Sequence, residues 1–372
     1  MRILIAPDSY KGTLTAKEAA CAIERGISRV VPGLEPTIFP LSDGGDGTVA
    51  ALKCSLGGTE IPVRVQDPLG RDIETSFLEL PDGTAVVEMA RASGLLCLKP
   101  HEHDPMAAHT FGTGQLLEAA RRRSHQIVLG IGGSATVDGG MGMARALGVR
   151  GFDESGRELL GNGADLIRLK RLDKSRMSPC WRRINLNVMC DVNNPLLGPG
   201  GAVRVFAAQK GASEREAAEL EAGLHNLAQV LACFSPKPVH QCPGAGAAGG
   251  MGAMLLALFG SVLVPGAAYA LNLTNFEAQL CRTQMLITGE GQLDAQSLNQ
   301  KLPVVLARRA RRYGIPVMAL PGRYVPDSSG CLDEIFDVIV PLTAWEKAEK
   351  GGSTSRLLER AAMHAVRSFL NG

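Results

Sequence analysis

Aromatic residues are scarce in this 372-residue chain, only 4% of it, and neither sign of charge dominates, with 39 Lys and Arg against 37 Asp and Glu. A formal net charge of +2 lacks the concentrated basic field that a nucleic acid or a membrane surface attracts, so neither is expected as a partner. The nine cysteines are odd in number and include no Cys-x-x-Cys pair, which argues against a disulfide framework or a zinc site. No Gly-x-Ser-x-Gly elbow offers an acyl-transfer nucleophile, and no Gly-Lys-Ser/Thr ending marks a P-loop. The amino terminus reaches Pro7 and Asp8 too soon for the apolar region of a signal peptide, so a cytoplasmic protein is expected.

One stretch is long enough to raise a membrane span: residues 238–276 contain no Asp, Glu, Lys or Arg, and a span needs about 20 apolar residues. Its first half is glycine and alanine, and Gly260, Ser261 and Pro265 interrupt the second, so it reads as a buried helix instead. His101, Glu102, His103, Asp104 and His109 sit among prolines without periodicity, which fits an exposed loop better than a metal cluster.

What the chain has in surplus is glycine, 44 residues where ordinary usage gives roughly 26. Seventeen of them fall in residues 44–47, 130–148, 244–252 and 289–291. The length gives a starting expectation of two domains. Residues 3–6 read as a strand, followed by a helix whose Thr15 and Glu18 form a capping-box pair and whose Ala20, Ile23, Ile27 and Val30 share one face. A second strand at 37–41 leads to another helix, a βαβα opening that implies a parallel sheet. Residues 61–89 change to alternation, with Pro81-Asp82-Gly83 as a hairpin turn between strands 73–80 and 84–89. From 285 onward apolar strands again alternate with helices such as 303–313 and 355–370. The expected architecture is α/β: a doubly wound, Rossmann-like parallel-sheet domain from both chain ends (1–58 and 270–372), with a mixed α/β domain (59–269) inserted.

The glycine-rich loops coincide with carboxylates. Asp43-Gly44-Gly45-Asp46-Gly47-Thr48 follows a strand and opens a helix, a setting for an anion at backbone N–H groups, or simply a capped turn. Ile131-Gly132-Gly133-Ser134-Ala135-Thr136 follows the strand 127–130, and only glycine lets backbone amides approach phosphate oxygens without a Cβ in the way. Gly244, Gly246 and Gly249 match G-x-G-x-x-G, but prolines rather than a strand precede them, and the next acid is Glu277. Dinucleotide binding is therefore not expected there, leaving close packing or approach to a ligand. Asp191 ends the apolar strand 186–189, and strand carboxyl ends are where α/β proteins place ligands. Glu290 and Asp294 repeat the device after 285–287; such acids suit Mg²⁺, and the nearby Lys301 suits phosphate charge, although surface caps and a solvated lysine read equally well.

Ala6-Pro7-Asp8-Ser9-Tyr10-Lys11-Gly12, Asp43-Gly44-Gly45-Asp46-Gly47-Thr48, the 130–140 loop, Cys190-Asp191-Val192, residues 243–252 and Thr288-Gly289-Glu290-Gly291 together resemble the bacterial glycerate kinase family, in the family's order and over nearly the whole chain. The resemblance implies ATP- and Mg²⁺-dependent phosphorylation of D-glycerate, with 2-phosphoglycerate the favoured product, at a site between two α/β domains. On that reading Asp191 is the base or an orienter, with Lys11 and Lys301 neutralising charge. Asp8, Ser9, Asp43 and Asp46 line the glycerate and phosphoryl region. Gly132, Gly133, Ser134 and Thr136 hold nucleotide phosphates, and Glu290 and Asp294 stand near the metal. The sequence departs from the family pattern at Gln300, where glycine commonly precedes the lysine, and at Asp46, where glutamate is frequent. Homo-oligomerisation stays open. Two competitors are a nicotinamide-dependent dehydrogenase of a small hydroxy acid, which needs a supported G-x-G-x-x-G, and a non-catalytic sugar-acid sensor, which needs an effector domain.

Overall fold

The computed structural model describes residues 1–10, 12–235, 238–298, 301–346 and 352–371. The chain folds into two compact units, one of Met1–Asp43, Ala50–Gly57 and Ala267–Gly372, the other of Gly44–Val49 and Gly58–Gly266. The sequence reading keeps residues 1–58 together; residues 44–49 instead join the second unit. The local cause is Glu88, whose two carboxylate oxygens accept the N–H groups of Gly47 at 2.8 Å and Val49 at 2.9 Å.

The first unit is built on a five-stranded sheet in the order Val338–Ile339, Val317–Ala319, Met285–Thr288, Ile3–Ile5, Thr37–Ile38, with every pairing parallel. Ile3-Leu4-Ile5 and Met285-Leu286-Ile287-Thr288 are buried along their whole length, as parallel strands covered on both faces must be. The helix Ala16–Val30 starts on the expected capping box: Thr15 accepts from the Glu18 N–H, and the Glu18 carboxylate accepts the Thr15 N–H. Its buried face includes Ala20, Ile23 and Ile27. It packs on the helix Thr354–Asn371, and the approach is close enough that a Cβ on Gly26 would lie 2.3 Å from the Glu359 carbonyl oxygen. Both chain ends thus close one core.

The second unit carries a six-stranded sheet in the order Val262–Val264, Asn185–Met189, Gln126–Gly130, Ala85–Glu88, Asp72–Glu79, Thr59–Gln66. The first four strands are parallel and the last two are added antiparallel, so this sheet is mixed. The Pro81-Asp82-Gly83 turn forms with Asp82 accepting the Thr84 N–H at 2.9 Å and Gly83 at φ 83°.

Residues 238–276 are not one helix. They form a 3-10 turn (Val239–Gln241), a helix (Ala247–Phe259), a strand (Val262–Val264) and a second helix (Gly266–Leu273). Gly260, left-handed at φ 59°, ends the first helix, and its entry at Ala248, Gly249 and Gly250 is also left-handed. Among the described residues no helix is long and apolar enough to cross a membrane, and no group of three or more His, Cys, Asp or Glu is placed to hold a metal.

Candidate active site

In the first unit the loops after strands Ile3–Ile5 and Met285–Thr288 are zipped together: the Ala6 N–H donates to the Ile287 carbonyl, the Asp8 N–H to the Gly289 carbonyl, both at 2.9 Å, and the Thr288 hydroxyl to the Ala6 carbonyl at 2.8 Å. Glycine at 289 is obligatory, because a Cβ there would sit 2.2 Å from the Tyr10 hydroxyl. Tyr10 is buried with its hydroxyl donating to the Leu320 carbonyl. Burial, then the charges of Glu290 and Asp8, push its phenol well above the usual range. Ser9 donates its N–H to Asp8 Oδ1 at 2.6 Å.

Glu290 is 6% exposed, accepts the Ser297 hydroxyl at 2.9 Å and lies 3.4 Å from Lys301 Nζ. Burial raises its pKa, Lys301 and Ser297 oppose that, and Asp43 adds to it. Asp8, Asp43, Glu290 and Lys301 therefore share one electrostatic neighbourhood of this unit. Asp294 is occupied differently. Its carboxylate accepts the Gln296 N–H at 2.9 Å and the Gln292 amide at 2.6 Å, both within its own turn. A cavity of about 480 Å³ in the same unit is lined by Tyr10, Thr13, Gly291, Gly322, Arg323 and Thr343 among others. Lys11 and Gln300 lie outside the described residues.

In the second unit residues 44–46 lie against the turn after strand Gln126–Gly130. The Gly132 N–H donates to the Gly44 carbonyl at 3.0 Å. A Cβ on Gly132 would lie 2.5 Å from the Gly45 Cα, and one on Gly133, at φ 74°, would lie 2.6 Å from the Asp46 carboxylate. These glycines thus bring Asp46 onto the 132–134 turn, a backbone approach that any side chain would block. Glu88, 4% exposed, organises this contact through its bonds to Gly47 and Val49. Burial lifts its pKa against those N–H bonds and against Arg91, whose Nε is 3.6 Å away.

Behind the same turn lies Lys210, 2% exposed, donating from Nζ to the Ser134 hydroxyl and the Thr136 carbonyl, both at 2.7 Å. Burial pushes its amine down to about 7, with Asp138 opposing. Asp138 is itself buried and accepts the Thr110 N–H and hydroxyl and the Gly140 and Gly142 N–H groups, which makes it a structural hub for the loop. Asp191, two residues past strand Asn185–Met189, accepts the Gly266 N–H at 2.8 Å, where the chain leaves this unit. Cys190 beside it is no ready nucleophile, since burial pushes its thiol up to about 11.

The structure thus gathers Asp8, Ser9, Asp43, Glu290 and Lys301 at strand ends of one unit, and Asp46, Gly132, Gly133, Ser134 and Thr136 around one turn of the other. The G-x-G-x-x-G glycines serve packing: Cβ atoms on Gly246 and Gly249 would lie 2.2 and 2.0 Å from the carbonyl oxygens of Pro195 and Thr136. Sequence reasoning missed Glu88 and Lys210. Glu88 had a signal, a carboxylate ending the apolar strand Ala85–Glu88 just as Asp191 follows its own. Lys210, in an unremarkable Ala-Gln-Lys-Gly run, had none.

Carboxylates and a lysine at the carboxyl ends of parallel strands, beside turns that only glycine can make, are the equipment of an α/β phosphotransferase. Comparison with known proteins makes this specific. The model of the glycerate kinase family matches residues 3–370. A glycerate kinase of Halalkalibacterium halodurans is 41% identical over 97% of this chain and 96% of its own length. A glycerate 2-kinase of Escherichia coli is 40% identical over 94% of each. A crystal structure from Salmonella typhimurium, provisionally identified as glycerate kinase 2, superposes with a TM-score of 0.82 at 36% identity, covering 100% of this chain and 99% of that one. The chain belongs to the glycerate kinase family, and with it to the ATP-dependent kinases.

Proposed function

We propose that this protein transfers the γ-phosphoryl group of ATP to the 2-hydroxyl of D-glycerate, giving 2-phosphoglycerate and ADP. The observation that carries this reading is the family match from residue 3 to residue 370, which spans every loop described above. The glycerate 2-kinase relative supports the choice of hydroxyl. A cytoplasmic location, where ATP is at hand, goes with it.

Phosphoryl transfer asks little covalent chemistry of a protein and much positioning, which can supply roughly 7–11 kcal/mol of the barrier. Asp191, held by the Gly266 N–H, takes the role of base or orienter for the attacking hydroxyl. Asp8, Ser9, Asp43 and Asp46 line the glycerate and phosphoryl region, and Lys11 and Lys301 neutralise charge on the transferring group. Gly132, Gly133, Ser134 and Thr136 receive nucleotide phosphates.

Mg²⁺ ordinarily keeps several waters and is bound through one or two carboxylates plus substrate phosphates. Glu290, with Asp43 acting on it electrostatically, offers carboxylate oxygens of the kind such an ion takes, and substrate phosphates and water would complete its shell. Glu290 accepts one hydrogen bond, from Ser297, beside Lys301, and Asp294 accepts two within its own turn. Bound there, the ion would supply charge neutralisation on the phosphates. Mixing the protein with ATP, Mg²⁺ and D-glycerate, and following ADP, tests the reading. ADP release that depends on D-glycerate is expected; release that ignores glycerate, or none, contradicts it.

A further inference from the structure

Among the described residues, Lys210 is a buried amine that the reading above leaves without a role. It ends the turn Ala208–Lys210, is followed by Gly211 in the left-handed region at φ 99°, and directs Nζ inward onto two neutral oxygens, Ser134 Oγ and the Thr136 carbonyl. Placing an amine in such surroundings costs free energy that an apolar side chain of similar length would avoid. Burial lowers the amine's basicity, and Asp138 opposes that. Close by, the hydroxyl of fully buried Thr136 has no hydrogen-bond partner among the described residues, so this turn holds more polar capacity than the protein uses. On its other side the same turn meets Asp46 through Gly133.

We propose that Lys210 is a positioning residue for a phosphate oxyanion: it locks the Ser134–Thr136 turn from behind and aims the Ser134 hydroxyl and the turn's backbone at the nucleotide. An ammonium has three N–H groups and two are used here. Its charge stands one hydroxyl behind the anion in a poorly screened interior, where a charge-assisted hydrogen bond is about twice as strong as a neutral one. The proposal rests on the assignment of this turn to nucleotide phosphates, and it deepens that assignment by naming what holds the turn in place.

The test compares the parent with Lys210→Met, which keeps length and loses the donors, and with Lys210→Arg. The expected result for Lys210→Met is a rise of about tenfold or more in KM for ATP, the size of one lost charge-assisted contact, with KM for D-glycerate unchanged. Lys210→Arg should restore part of the loss. Hydrogen exchange with ATP alone gives a readout that needs no turnover. ATP should protect the amides of residues 132–136 in the parent and fail to do so in Lys210→Met, while the strand Gln126–Gly130 exchanges alike in both. Unchanged KM for ATP and unchanged protection in a folded Lys210→Met would overturn the proposal. If that variant does not fold, Lys210→Gln carries the test: a raised KM for ATP with lost protection of residues 132–136 supports the proposal, and parental KM and protection overturn it. Failure of the functional reading looks different. The parent would then lack glycerate-dependent turnover, whereas the exchange experiment would still report on Lys210.

Discussion

At the scale of single residues, the site is made of groups with two jobs, and the useful variants separate them. Asp191 both follows a strand and accepts the Gly266 N–H. Asn at this position keeps an oxygen acceptor and removes the charge and basicity. Asp191→Asn should therefore fold like the parent and lose at least about 10²-fold in kcat, the lower end of what general-base catalysis supplies. A folded variant with turnover within a few-fold of the parent would remove Asp191 from the chemistry. The roles proposed for Asp191 and Glu290 rest on a local pattern, a carboxylate just past an apolar strand. Glu88 carries the same pattern, yet its work lies in gripping Gly47 and Val49, some forty residues away, and nothing local announces a tertiary contact. Lys210 is harder still, because burying a lysine is a decision of packing and leaves no mark in the residues beside it.

At the scale of elements, the local devices were readable and the partners were not. The Thr15–Glu18 capping box and the Asp82 turn form as read, since each is closed by atoms a few residues apart. The stretch 238–276 reads as one apolar helix because composition records burial without recording direction; left-handed residues at 248–250 and 260 divide it. The glycine surplus was visible as composition, but only the structure reveals what approaches each glycine. At 246, 249 and 252 it is protein backbone, whereas at 133 it is the Asp46 carboxylate. That contrast makes a prediction. Gly133→Ala and Gly83→Ala both place a side chain at positive φ, which costs about 1–2 kcal/mol, and Gly83 has open space around it. Urea denaturation should register a loss in both. Only Gly133→Ala must also displace Asp46, and its kcat/KM should fall by roughly ten- to a hundredfold, since misplacement near 1 Å costs about that much. Parental kcat/KM in a folded Gly133→Ala would show that the Asp46 contact is idle.

At the scale of the whole molecule, the parallel sheet built from both chain ends and the mixed sheet between them follow from the changing hydrophobic period along the chain. The finer division does not. Residues 44–49 belong with the second unit because two of their amides bind a carboxylate there, a fact no boundary rule contains. The family assignment gathers these parts into one activity, and the proposed function adds that the transferred phosphoryl group ends on the 2-hydroxyl of D-glycerate. Proton-coupled phosphorus NMR of the product formed from ATP and D-glycerate tests that claim most directly. Phosphate on the 2-oxygen has a single proton on the adjoining carbon and gives a doublet, the result predicted here. A triplet from the two methylene protons next to a 3-phosphate, or no phosphate ester at all, would contradict it.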